Sequence, residues 1–309
     1  MNDTQYFKGV AAIVFASLVW GTTGTAASLS ANISAFSIGA FSMGGAGLLF
    51  ILANLRKLLF YHKKFIENSK LVLFGGLSVA IYPLAFYSSM SFSGVAVGTI
   101  VSIASAPLFT VIFERFSGQA SVSLRWWLSF ILGVAGVSLL VIGKQHGNTS
   151  ALISLNDQFG VILGCIAGLT YACYTCAIKR LIGHEIDSQT AMSGLFGLAA
   201  LILLPAALVW GDNLFATVTN TAVSLYMVIV PMFCGYLLFS YGLKNVNASD
   251  ATLITLLEPL IATLLAIGFL GERFSLVGLI GAVLLLISLL TNSIKQGKSL
   301  AYQAKKQFN

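Results

Sequence analysis

Residues 248–270 read ASDATLITLLEPLIATLLAIGFL, and this stretch decides the fold. As a helix rising 1.5 Å per residue it covers roughly 34 Å, enough to cross the ~30 Å hydrocarbon core of a bilayer. Its one central charge is Glu258, with about ten residues of the apolar window on either side. Working outward, nine more windows of similar length and character follow at 9–29, 34–55, 71–91, 94–113, 124–143, 158–178, 189–209, 220–242 and 276–294. The expected class is an all-α integral membrane protein whose ten transmembrane helices fall into two sets of five.

Composition agrees, with 57% hydrophobic residues, 9% charged residues and a mean hydropathy of +0.91, unlike any ordinary soluble domain. The natural unit is one bundle of two halves. Residues 1–143 form the first five-helix repeat, 144–157 a linker, 158–294 the second repeat and 295–309 a basic cytoplasmic tail. The first window is as long as the others and lacks a small-residue cleavage site, so it reads as a retained span rather than a signal peptide.

The net charge of +7 raises the question of a nucleic-acid partner, and its distribution answers it. With a cytoplasmic N-terminus, all of the 17 basic residues except Lys144 and Arg273 fall on the cytoplasmic side. That is the positive-inside bias, and an odd number of spans would scramble it. No aromatic-interleaved basic face accompanies the charge, so a nucleic-acid role is excluded. The expected location is a bacterial inner membrane, crossed many times, with both termini cytoplasmic.

Cys165, Cys173, Cys176 and Cys234 all lie in apolar windows. Cys173-x-x-Cys176 lacks the second pair or nearby histidine that a zinc site needs, and the cysteines read as small packing residues. His62, His146 and His184 fall in loops, away from any intramembrane proton relay. No G-x-x-x-x-G-K-[ST] loop is present, so neither a cofactor nor ATP hydrolysis is expected. H-E-x-x-H, G-x-S-x-G and an intramembrane histidine or aspartate pair are also missing, which argues against an enzyme.

The halves align without a gap when 87–137 is set against 239–289 at an offset of 152. Pro107-Leu108 then meets Pro259-Leu260 within the fourth window of each half, and Ser123-Leu124 meets Ser275-Leu276 at the start of the fifth. At an offset of 151, Gly9-Val10 meets Gly160-Val161 and Ala16 meets Ala167. Five windows per half make the second half enter the membrane from the opposite side. Such inverted repeats commonly hold a substrate site near the midplane between them.

Trp20-Gly21, Pro107-Leu108-Phe109-Thr110, Leu257-Glu258-Pro259 and Leu270-Gly271-Glu272-Arg273, in this order and spacing across ten windows, resemble the EamA-type transporters of the drug/metabolite transporter superfamily. One departure is plain: the first half has Gln119-Ala120-Ser121 where the second has Gly271-Glu272-Arg273. The resemblance implies a carrier that works by alternating access, with a central cavity lined mainly by spans one, three, four, six, eight and nine. It implies a small-molecule substrate: an amino acid, amine or related solute, moved in either direction, export included. A nucleotide-sugar-like carrier is an alternative from the same superfamily.

All five prolines sit inside apolar windows, where each removes a backbone donor and frees the carbonyl four residues earlier, such as that of Thr255 for Pro259. Freed carbonyls in lipid need a partner or a wet cavity, so Pro83, Pro107, Pro231 and Pro259 are helix-break or gating candidates, while a packing kink remains the alternative. Glu258 costs ~2.5–3.5 kcal/mol to insert at mid-membrane and must find a proton, a cation or a hydrogen-bond partner there. It is the leading candidate for coupling or substrate binding. Trp20, Tyr82, Tyr171 and Tyr236 are the aromatic cavity candidates, on stripes that would serve helix packing equally well. Near the membrane edges Glu114-Arg115 should face the cytoplasm and Glu272-Arg273 the outside, each read as a local pair or solvated cap with a gate as the alternative. A facilitative channel or uniporter stays open beside the carrier, since a polar lining serves conduction too. The expected partners are the substrate and the lipid bilayer, and a homodimer is compatible with the sequence.

Overall fold

The computed structural model describes residues 3–116, 123–144, 155–270 and 275–293. Gln119-Ala120-Ser121, most of the expected linker, Gly271-Glu272-Arg273 and the expected tail lie outside the described residues. Among the described residues every regular element is a helix. Nine helices among the described residues are long and apolar enough to cross a membrane: Thr4–Ser28, Ala35–Phe60, Ser69–Gly94, Val97–Phe116, Leu124–Gly143, Gln158–Gly183, Ser188–Trp210, Val218–Asn245 and Ala248–Phe269. A shorter apolar helix, Leu276–Thr291, completes the ten spans.

Most starts are written locally. Ser34, Asp187 and Thr217 precede spans two, seven and eight, and each accepts a hydrogen bond from the backbone N–H three residues on, satisfying a donor the helix cannot. Ser123 and Ser275, equivalent at the offset of 152, do the same for Trp126 and Gly278 at spans five and ten, both at 3.2 Å. The matched Ser-Leu pairs are thus matched helix caps. Spans three and four follow each other almost without a loop because Gly94 takes φ 81°, a left-handed turn that a side chain would strain.

The main packing pairs are one with eight, two with seven, three and four with six, and five with ten, so each pair draws a member from each half. Close contacts repeat under the same offsets. A Cβ on Gly136 would lie 2.8 Å from the carbonyl oxygen of Gly281, and the equivalent pair, Ser288 and Ser129, is joined by a hydrogen bond from the Ser288 hydroxyl to the Ser129 carbonyl. Gly9 abuts Asn245 just as Gly160 abuts Ser93. The architecture is therefore two inverted five-helix repeats related by an internal twofold. The bundle's outer surface is apolar, with Leu52, Ile131, Leu201 and Leu286 exposed to where lipid would lie.

Candidate functional site

Three spans are irregular at one level, and they touch there. The first span runs as helix from Asp3 to Trp20, breaks at Gly21-Thr22 and resumes at Thr23–Ser28. Thr22 favours the break by turning its hydroxyl back onto the Val19 carbonyl at 2.6 Å. The ninth span breaks at Thr255-Leu256, between the helices Ala248–Ile254 and Leu257–Leu270. Pro259 has no N–H for the Thr255 carbonyl, which instead accepts the Glu258 N–H at 3.0 Å in a tighter turn. In the eighth span, Val228–Gly235 is π-helical around Pro231. A Cβ on Gly21 would stand 3.1 Å from the Glu258 carbonyl oxygen, and the Trp20 indole N–H donates to the Pro231 carbonyl at 2.8 Å.

Around this junction lie two adjoining chambers. The inner one, about 50 Å³, is lined by Trp20, Tyr82, Pro83, Tyr171, Tyr236 and Glu258, with Gly39, Ser42 and Met43 from span two and Met232 from span eight. The outer one, about 710 Å³, reaches the connection between spans one and two at Ser28, Ser30 and Ile33, on the face opposite the N-terminus. Thr23, Phe86, Tyr87 and Glu258 line both. Among the described residues Glu258 is the only charged one in either lining, and its carboxylate makes no hydrogen bond.

The aromatic side chains are held by one another. Trp20 lies 4.7 Å from Tyr236 between ring centroids, Tyr82 stacks on Phe86 at 5.8 Å, and Tyr171 lies 5.6 Å from Tyr82. The Tyr171 hydroxyl donates to Thr255 Oγ1 at 3.2 Å, and the hydroxyls of Tyr174 and Tyr236 pair at 2.9 Å. Buried polar atoms without such partners would each cost about 1–3 kcal/mol.

On the N-terminal side, outside both linings, a clamp holds the connection between spans eight and nine. Lys179 of span six donates to the carbonyls of Leu243 and Val246 at 2.6 and 2.8 Å. Glu114, at the end of span four, accepts from the backbone N–H groups of Ala248 and Ser249 at 2.8 and 3.2 Å. Glu114 is buried and its second carboxylate oxygen has no partner. The expected local pair or solvated cap at Glu114-Arg115 is thus corrected: the carboxylate caps a helix of the other repeat, because folding brings span four's end against span nine's start.

The structure gathers Trp20, Tyr82, Tyr171, Tyr236 and Glu258 into one lining, with Pro83 and Pro259 also facing the chambers. Pro83 and Pro107 stand in a helix whose one break is at Gly94, so neither interrupts its span, and Pro107 lines neither chamber. Pro231 contributes its carbonyl to Trp20. Span two is an unforeseen wall. Its signal was Gly39-x-x-Ser42-Met43, small and adaptable residues on one helical face, with Gly39 making room for the Tyr87 ring. Gly160, Gly164 and Gly168 face spans three and four and serve packing.

The chain matches the EamA-like transporter family twice, over residues 7–142 and again over 158–294. The uncharacterized transporter YwfM of Bacillus subtilis strain 168 is 29% identical over 94% of this chain and 96% of its own length. The uncharacterized inner membrane transporter YicL of Salmonella typhimurium strain LT2 is 24% identical over 95% and 97%. A protein crystal structure of 16% identity superposes with a TM-score of 0.76, covering 95% of this chain and 98% of that one, a likeness of fold.

Proposed function

This chain belongs to the EamA-like transporter family, and on that footing we propose that it is a secondary carrier that moves a small organic solute, of the amino acid or amine kind, by alternating access. The observation that carries the reading is a cavity between inverted repeats that reaches the face opposite the N-terminus, while toward the other face the bundle is filled by buried Tyr174, Ile178, Phe239 and Leu243 and tied by the Lys179 and Glu114 clamp. A channel needs a continuous path. Here the large outer chamber narrows to an inner one of about 50 Å³, which favours a carrier over a pore.

In this reading the open face is extracytoplasmic and both termini are cytoplasmic in a bacterial inner membrane. Access switches when the clamp releases and the outer walls close over the chamber. The twofold relation of the repeats supports such an exchange, since each repeat can adopt the other's arrangement. Glu258 is the coupling group: a lone carboxylate at mid-membrane crosses at lower cost when it carries a proton or a cation. Energy comes from a gradient, and the sequence has no nucleotide cradle that would supply it otherwise.

The test is counterflow in proteoliposomes loaded with a metabolite library, with all ion gradients collapsed and no ATP. A carrier gives saturable, transient accumulation of a labelled solute against an excess of the same solute inside. Linear, non-saturating flux would favour the channel, and uptake that requires ATP would sink the gradient-driven reading.

A further inference from the structure

We propose that the ligand of this cavity is a monocationic amine with an apolar or aromatic body, bound with its ammonium at the junction of the two chambers and its body in the outer one. The proposal rests on the carrier reading for its purpose, but its evidence is the chemistry of the lining.

The first argument is charge. Among the described residues lining both chambers there is one carboxylate, Glu258, and no lysine, arginine or histidine. Lys179, on the N-terminal side, lines neither chamber and is committed to the Leu243 and Val246 carbonyls. A phosphate, carboxylate or zwitterion would therefore leave water with no counter-charge to meet its anionic group. The ammonium of an amine would meet Glu258, which has no other partner there.

The second argument concerns the interrupted helix. Half-helix N-termini in broken membrane spans are natural anion sites, because their free N–H groups and dipole favour negative charge. The second half of span nine begins at Leu257, and Glu258 stands in its first turn. The place where an anionic substrate group would dock already carries a carboxylate of the protein, and the Glu258 N–H is bonded to Thr255.

The third argument is what the rings can offer. The Trp20 N–H is held by Pro231, the Tyr171 hydroxyl by Thr255, and the hydroxyls of Tyr174 and Tyr236 by each other. With these polar edges engaged, what Trp20, Tyr171 and Tyr236 have left to offer a ligand is ring surface, which attracts a cation and offers little to a phosphate. Phe86 and Tyr87 line both chambers together with Glu258 and add further ring surface at the junction. Beyond it the outer chamber is walled mainly by apolar side chains, Ile38, Met90, Ile103 and Met227 among them, with the hydroxyls of Thr23, Ser28, Ser30, Thr99 and Thr263 between, a surface that suits a largely apolar body.

The experiment uses four probes of one shape: phenethylamine as cation, phenethyl alcohol as neutral body, phenylalanine as zwitterion and 3-phenylpropionate as anion, with hexylamine and tetraethylammonium as further cations. Binding to the purified full chain is read by thermal stabilisation, and transport by counterflow in proteoliposomes. The expected order is cations first, the alcohol weakly, and the zwitterion and anion not at all. Glu258→Gln should weaken phenethylamine at least tenfold while leaving the alcohol within twofold, and Glu258→Asp should retain the preference for cations. Binding of phenylalanine or 3-phenylpropionate as tight as that of phenethylamine overturns the proposal, and so does failure of all three cations to bind. If Glu258→Gln does not fold, loss of the cation preference in Glu258→Asp overturns it. Amine binding without counterflow supports the ligand class and sinks the carrier reading. Counterflow of phenylalanine without amine binding does the reverse.

Discussion

Gly21 rests on the carbonyl oxygen of Glu258, so the break in the first span is seated on the break in the ninth. The seat has no room to spare: a Cβ on Gly21 would lie 2.7 Å from the Cβ of Ile261 and 3.1 Å from that oxygen. Gly21→Ala should push the two interruptions apart at an overpacking cost of about 1–3 kcal/mol. A fall in melting temperature with slower transport is expected, and wild-type values for both would show the seat to be soft.

Glu258 separates the coupling role from a merely structural one. Glu258→Gln keeps the volume and removes titration, so it should insert and fold normally yet lose gradient-driven accumulation. Glu258→Asp should be intermediate, because it keeps the carboxylate but retracts it by one methylene. Concentrative uptake by the Gln variant at the wild-type rate and with unchanged pH dependence would leave Glu258 no part in coupling.

The clamp predicts a change in access. Glu114→Ala removes the cap on Ala248 and Ser249, worth about 0.5–2 kcal/mol at an ordinary helix start. A cysteine placed at Ser249, which is buried, should then react with a membrane-impermeant maleimide several-fold to roughly tenfold faster from the N-terminal face. Lys179→Met should act in the same direction. An unchanged labelling rate in both variants would mean that closure on this face is held elsewhere.

Spans five and ten offer a test of the internal twofold. Gly136→Leu and Gly281→Leu each drive a side chain into the opposite backbone, and should lower the melting temperature far more than Ser288→Ala, which removes one hydrogen bond of about 0.5–1.5 kcal/mol. Similar small effects from all three would contradict the tight contact.

Topology can be read directly. Reporter fusions after Lys64 and after Lys298 should report the cytoplasm, and one after Lys144 the outside. An outside signal at Lys298 would overturn the even number of spans.

What the sequence made legible follows the range of the forces involved. Span lengths, the caps at Ser123 and Ser275 and the isolation of Glu258 are local properties of the chain, set by hydropathy and by side chains reaching their own backbone. Trp20, Tyr82, Tyr171 and Tyr236 could be nominated because broken helices and aromatic stripes leave a periodic trace. The clamp could not, since Glu114 and Ala248 stand 134 positions apart and only packing brings them together. Span two escaped notice for a related reason: Gly39, Ser42 and Met43 look like any helix-packing face until the ring of Tyr87 is seen to fill the gap. Pro83 and Pro107 misled because proline predicts a break, yet the helix around each carries on, and beside Pro107 the Thr110 hydroxyl turns to the Ala106 carbonyl at 2.8 Å.

The cross-repeat pairing of spans also bears on biogenesis. The first span's main partner is the eighth, the second's is the seventh and the fifth's is the tenth. On the ribosome the first five helices enter the bilayer before most of their neighbours have been translated, with small-residue faces such as Gly133 and Gly136 meeting lipid tails in the interval. The native bundle is therefore completed late and from the middle of the chain outward, spans three and four meeting six first and five meeting ten last. A nascent chain halted after residue 143 would remain a loose group of inserted helices, a natural client for insertases and membrane quality control.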